Sequence, residues 1–368
     1  MKRVDAQGPR IRPRDAIDGL RAYRLESPVG AAVPMIPSVK LNQNESPWDW
    51  PLELKQEVVR RVAARPWNRY PPVDAEALRG ALARSHGVAP ELVAVTNGSN
   101  EAILALVETF AGGKTVLPIS PGYSMAAPLA VVGGAAVRTV SLRPDFSLDV
   151  PAMLEAAQAP DVGMVYIASP NNPTGNAFAR AGIEAILEAA CSLVVIDEAY
   201  AGFAPDSFLL DIDRYPHLAV IRTFSKAFAL AGARVGWITA AESVIAAVRK
   251  ALPPYNLNAF AQEAALVALT RPDLIATRVA SILRERERVA EAMRRIAGVI
   301  AYRSDANFIL FRTGLPASVL FTRLLQRGVL VRDVSSQPML DRCLRLTIGT
   351  PAENEQFLEA LRGSVVAS

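Results

Sequence analysis

The 368-residue chain carries only two cysteines and two histidines. Cys191 and Cys343 make neither a disulfide framework nor a metal-ligand spacing, which fits a reducing compartment. His86, in a helix-to-loop turn, and His217, in a polar loop, give a zinc site or a histidine triad little to build on. Both are expected to be structural, and no metal is expected. Lysine is scarce too: the 40 basic residues include six lysines, at 2, 40, 55, 114, 226 and 250. Arginine keeps its proton, whereas lysine can lose one and attack as an amine, so a lysine in a polar motif stands out. The 36 acidic residues leave a net charge of +4 with no basic stripe, which argues against a nucleic-acid partner. No apolar h-region follows the early positive charges. The uncharged stretch 115–137 is broken by Pro118, Pro121, Pro128, Gly122 and Gly133-Gly134, so it cannot be a continuous spanning helix. A soluble, cytoplasmic protein with no membrane partner is expected.

What is present is a long alternation of apolar runs and helical patterns. Residues 1–40, rich in Pro and Arg, read as an extended arm. Strands are expected at 92–96, 115–119, 136–141, 163–168, 193–197, 219–224 and 236–240, with helices at 100–110, 181–190 and 241–251. Several of these strands are apolar throughout, as when helices cover both faces of a sheet. The expected fold class is therefore α/β, with a mostly parallel sheet in a large domain over 41–255. Beyond Pro253-Pro254 a charged helix at 272–297 leads to strands at 307–311, 329–334 and 343–348. Residues 256–368 thus read as an interdomain helix and a smaller α+β domain.

Four segments carry polar residues where apolar strands end. In IRTFSKAFALAGARVGW (221–237), Lys226 follows Thr223 and Ser225 and precedes Arg234. Such a lysine could form a Schiff base with an aldehyde while the hydroxyls and arginine hold a phosphate, although a lone loop lysine is usually just solvated. VVIDEAY (194–200) ends a buried-looking strand in Asp197, which costs free energy unless a cation meets it. TNGSNEAI (96–103) presents backbone N–H groups at a helix start, where Ser99 or Asn100 could bind phosphate or merely cap the helix. SPNNPTGN (169–176) is a rigid Asn-Pro-Gly loop.

Taken in chain order, as 96–103, PGYSM (121–125), 169–176, 194–200 and 221–237, the segments resemble the fold-type-I pyridoxal-phosphate (PLP) aminotransferases, from about residue 40 to the C-terminus. The resemblance implies PLP as cofactor, with Lys226 as the Schiff-base lysine and Asp197 beside the pyridinium nitrogen, so that the protonated ring is an electron sink. It places Asn172 and Tyr200 on the ring hydroxyl and Tyr123 of PGYSM against the ring. Ser99, Asn100, Thr223, Ser225 and Arg234 would anchor the phosphate. Tyr70, in RYP, would reach the neighbouring subunit's cofactor, which implies a homodimer with shared active sites. A small-molecule amino donor and a 2-oxo acid acceptor would react in turn, with Lys226 moving the proton.

LNQNESPW (41–48), RYP (69–71), GVLVRDVS (328–335) and CLRLTIGTPAEN (343–354) further resemble the histidinol-phosphate aminotransferases. That likeness assigns substrate contacts to Arg332, Arg345 and Asn44, the arginines taking the donor's phosphate or the acceptor's carboxylate. The implied reaction converts histidinol phosphate and 2-oxoglutarate to imidazole acetol phosphate and glutamate. One departure is LESPVG (25–30), where relatives often have Pro-Tyr-x-Pro-Gly; Tyr23 is out of register, and Trp48 is expected to pack. An aromatic amino-acid aminotransferase or a phosphothreonine-type decarboxylase could use the same cofactor motifs. A non-catalytic PLP-sensing regulator is disfavoured by the intact lysine and by an arm too short for a DNA-binding domain.

Overall fold

The computed structural model describes residues 12–22 and 37–365. The apolar runs become strands of one eight-stranded sheet. From one edge the order is Val93–Thr96, Gly236–Ala240, Leu218–Thr223, Leu193–Asp197, Val162–Ala168 and Thr115–Ser120. The short strands Ala136–Val137 and Val140–Ser141 both pair with Thr115–Ser120, so the expected single strand at 136–141 is divided. Gly236–Ala240 runs antiparallel to both its neighbours; the other pairings are parallel. One reversed strand therefore qualifies the expected mostly parallel sheet.

Period-two alternation explains why these strands are apolar throughout. Val194 and Ile196 face a cluster containing Met153, Ile183 and Ile186, from the helices Val150–Ala157 and Arg180–Ala189. Val195 faces the opposite cluster, with Leu106 and Val107 of Ser99–Phe110 and Val248 of Glu242–Ala251. Each fully buried branched side chain contributes roughly 1.5–3 kcal/mol over an exposed one. Burial on both faces fixes the strands and leaves their ends to carry the polar groups.

A second, antiparallel sheet orders Val299–Ala301, Phe308–Thr313, Cys343–Thr347 and Arg332–Asp333. Its core joins Phe308, Phe311, Leu324 and Phe357, with Met293 from the long helix Pro272–Arg294. The run expected as one strand at 329–334 splits at Val331. Val329–Leu330 pairs with Val39–Lys40 far away in sequence, while Arg332–Asp333 pairs with Cys343–Thr347. Val39 and Leu41 join the small-sheet core, and helix Ala259–Leu269 packs with Trp237 and Val95 of the large sheet.

Within the expected arm, Asp15–Asp18 is one helical turn, and Arg14 Nη2 donates to the Val132 carbonyl at 2.9 Å. Tyr23 and LESPVG (25–30) lie outside the described residues. Trp48 packs against the small-sheet core. Among the described residues, no helix is long and apolar enough to cross a membrane.

Candidate active site

The parallel strands all end at one edge of the large sheet, where Val93–Thr96 also ends and Gly236–Ala240 begins. Ligands of such sheets bind outside the carboxyl ends of the strands. A cavity of about 640 Å³ opens there. Every residue the sequence singled out for a site lines it, with the exception of Tyr70.

At one end, the turn after Val93–Thr96 leads into helix Ser99–Phe110 through Gly98, at φ 78 and ψ 170. Essentially only glycine adopts that conformation. A Cβ there would also lie 2.3 Å from Arg234 Nη2 and would displace that guanidinium. Ser99 and Asn100 thus open a helix N-terminus, which favours an anion. Across from them, Arg234 Nη1 is 3.4 Å from Ser225 Oγ, and Thr223 Oγ1 is 2.9 Å from the same hydroxyl. A helix start, two buried hydroxyls and a guanidinium converge here, a donor set that fits a phosphate.

In the middle, Asp197 ends its strand only 4% exposed. Its Oδ2 accepts from Tyr166 Oη at 2.6 Å and its Oδ1 from the Ala199 N–H at 3.0 Å. Burial pushes the carboxyl up to about 6, against which those two bonds act. Among the described residues no lysine or arginine forms an ion pair with it, and a buried carboxylate so placed fits a cationic ring nitrogen. Tyr123 forms a wall, its hydroxyl donating to Asn100 Oδ1 at 2.7 Å. Tyr200 Oη accepts from Asn44 Nδ2 at 2.8 Å. Asn44 is 1% exposed and its Oδ1 also accepts from Thr347, so its side chain braces Tyr200 from the cavity wall.

Lys226 follows the strand Leu218–Thr223, and its Nζ donates to the Gln43 carbonyl at 3.0 Å. Burial, reinforced by Arg345, lowers its ammonium from 10.5 to about 7. The folded chain therefore holds a neutral amine above about 7, where an ordinary lysine is still charged. Reductive methylation of the cofactor-free chain with formaldehyde and cyanoborohydride, read by mass spectrometry, should modify Lys226 at a rate that levels off near pH 7. A rate still climbing above about pH 9, as for exposed lysines, would contradict that environment.

Arg332 and Arg345 stand directly opposite each other on adjacent antiparallel strands. Arg345 Nη1 donates to Asn172 Oδ1 at 2.6 Å and Nη2 to the Asn42 carbonyl at 2.8 Å, with the guanidinium over the Phe308 ring. Like charges directly opposite destabilise a sheet, and an anion bound between them would favour the pairing.

Tyr70 lies elsewhere, 80% exposed and stacked on Tyr255 with ring centroids 4.5 Å apart. Both histidines also lie outside the cavity. His217 Nε2 contacts the Leu187 carbonyl, and His86 packs on Trp237, its burial lowering its pKa. Among the described residues no group of three His, Cys, Asp or Glu could hold a metal ion. Sequence reading missed Tyr166, which it took for one more apolar strand residue. The signal was available, because a tyrosine inside a doubly covered strand must place its hydroxyl. It also missed Gln43, which reaches Lys226 only through the fold.

A family model for aminotransferase class I and II matches residues 36–361. A histidinol-phosphate aminotransferase of Chlorobaculum tepidum is 38% identical over 94% of this chain and 98% of its own length. Another, from Thermococcus gammatolerans, is 41% identical over 88% of this chain and 91% of its own. The solved histidinol-phosphate aminotransferase of Sinorhizobium meliloti, in complex with pyridoxal-5′-phosphate, superposes with a TM-score of 0.86. At 24% identity, over 98% of this chain and 99% of that one, it is a likeness of fold. The match along nearly the whole chain places this protein in the class I and II aminotransferase family.

Proposed function

We propose that the protein is a PLP-dependent aminotransferase that moves the amino group of histidinol phosphate to 2-oxoglutarate, in histidine biosynthesis. The observation that carries the substrate is the Arg332–Arg345 pair facing the cavity that holds Lys226 and Asp197. The curated relatives' names support the same reading.

PLP bound there supplies an electron sink for the carbanion formed at the substrate's Cα. The chain's residues do the rest. Ser99, Asn100, Thr223, Ser225 and Arg234 would hold the phosphate, and Tyr123 would stand against the ring. Asp197 would hold the proton on the ring nitrogen, and Asn172 and Tyr200, the latter braced by Asn44, would meet the ring hydroxyl. Lys226 Nζ, largely neutral above about pH 7, would take the proton from the substrate's Cα. Arg332 and Arg345 orient the donor through its phosphate and the acceptor through a carboxylate, one site serving both anions in turn.

If the anion site is shared, Arg332→Gln raises KM for histidinol phosphate and for 2-oxoglutarate together, each by about tenfold. Steady-state kinetics with each substrate varied checks this. An unchanged KM for either substrate contradicts a shared site.

The same reading makes the enzyme a homodimer of the cytoplasm, with Tyr70 reaching the neighbouring subunit's phosphate. Exposed Trp67, Tyr70, Val73, Tyr255 and Phe260 support a covered face in the assembly. It also divides the chain into an arm, a large cofactor-binding domain and a small domain joined by helix Pro272–Arg294.

A further inference from the structure

Tyr166 sits in the middle of strand Val162–Ala168, 1% exposed, among the apolar residues under helix Ser99–Phe110. Packing alone does not account for its hydroxyl, since phenylalanine would fill the same space. The register does. Asp197 stands opposite Ala168, and Tyr166 lies two residues before Ala168 on the same face. A residue diagonally placed across parallel strands is within reach of a long aromatic side chain. The phenol O–H spans that diagonal and donates to Asp197 Oδ2 at 2.6 Å.

The neighbouring charges leave this bond much to do. Glu198 adjoins Asp197 and opposes its negative charge, although its own carboxylate is turned away to Arg222, Ser207 and the Phe208 N–H. Two donors therefore work against burial and Glu198, namely the Ala199 N–H and Tyr166. The phenol itself is held well above its ordinary value by burial, then by Asp197, so it remains the donor of the pair.

We propose that Tyr166 is a positioning residue for cofactor recognition: its O–H orients the Asp197 carboxylate and favours its charged form, so that the site selects a ring with a basic nitrogen. The inference rests on the PLP reading given above. It assigns Tyr166 no contact with substrate or cofactor.

The test is equilibrium binding of two ligands to the full chain stripped of cofactor, followed by absorbance and protein fluorescence. One ligand is PLP; the other is its 1-deaza analogue, in which C–H replaces the ring nitrogen. In Tyr166→Phe the preference for PLP over the analogue should fall by about tenfold, because a hydrogen bond to a charged group is lost while the ring, phosphate and aldehyde contacts remain. Equal loss of affinity for both ligands would mean a structural role only, and unchanged affinities would mean no role; either overturns the proposal. Should Tyr166→Phe fail to fold, 3-fluorotyrosine placed at position 166 keeps the ring and strengthens the donor. The preference should then rise, and a preference that stays level or falls overturns the proposal. Wild-type protein that binds neither ligand would overturn the PLP reading itself and this inference with it.

Discussion

Lys226→Ala removes turnover, with an expected fall in kcat of roughly 10⁵-fold or more, the scale at which a central catalytic group is lost. Lys226 is the only lysine among the residues lining the cavity. Its geometry fits a proton carrier, since burial and Arg345 bring its pKa down to about 7 and the Gln43 carbonyl 3.0 Å away orients it. No arginine can replace it, because a guanidinium does not give up its proton. The variant should still fold and bind PLP without a covalent link, because the phosphate donors and Asp197 do not depend on Lys226. A small primary amine added at high concentration should restore part of the rate by entering the space left by the side chain. Persistent transamination by the variant without added amine would sink the assigned role.

Asp197→Asn has two opposed effects of comparable size. In the cofactor-free chain it stabilises. The folded carboxyl is held up to about 6 against an ordinary 3.8, so between those values the folded chain binds more protons than the unfolded one. Stability from this group is greatest below about pH 4 and falls as pH rises through about 6. At neutral pH the burial cost is on the order of 3 kcal/mol; a neutral amide that still accepts from Tyr166 escapes it, less about 1 kcal/mol for the Ala199 N–H, which an amide nitrogen cannot accept. The cofactor-free variant should therefore melt several degrees higher than wild type at pH 7 and show a flatter pH profile. With cofactor the sign reverses. Loss of a buried charge facing a cation should weaken PLP binding by about 30-fold or more and lower kcat by roughly 10³-fold. Melting curves of both proteins across pH, with and without PLP, separate the two effects. A variant less stable than wild type without cofactor would contradict the burial cost assigned to Asp197.

The same opposition explains what the sequence made legible. An aspartate ending the run VVI and a lysine ending IRTFS were visible as polar residues in expensive places, and both lie at strand ends that face the cavity. Apolar runs gave most of the large-sheet strands to within a residue or two at each end, because burial on both faces leaves a continuous apolar signature. Pairing between distant segments has no local signature. The Val39–Lys40 ladder with Val329–Leu330, the break at Val331 and the Arg332–Arg345 register emerge only in the fold. Ala126–Val132 formed a helix within a stretch read as broken by Pro and Gly, since Pro128 falls in its first turn, where no N–H is needed. The motif residues were legible singly, and so was the need of Tyr166 for a partner; that the partner is Asp197, that Gln43 meets Lys226 and that Asn44 braces Tyr200 emerge only in the fold.

The most direct measurement is glutamate formation from 2-oxoglutarate with histidinol phosphate and phenylalanine supplied separately, compared as kcat/KM. Two arginines facing one cavity predict a large preference for histidinol phosphate, because a phosphate between paired guanidiniums is worth far more than an apolar ring there. A preference for phenylalanine would contradict the substrate assignment while leaving the aminotransferase, and absence of turnover with both, with carbon dioxide released from phosphothreonine, would contradict the reaction itself.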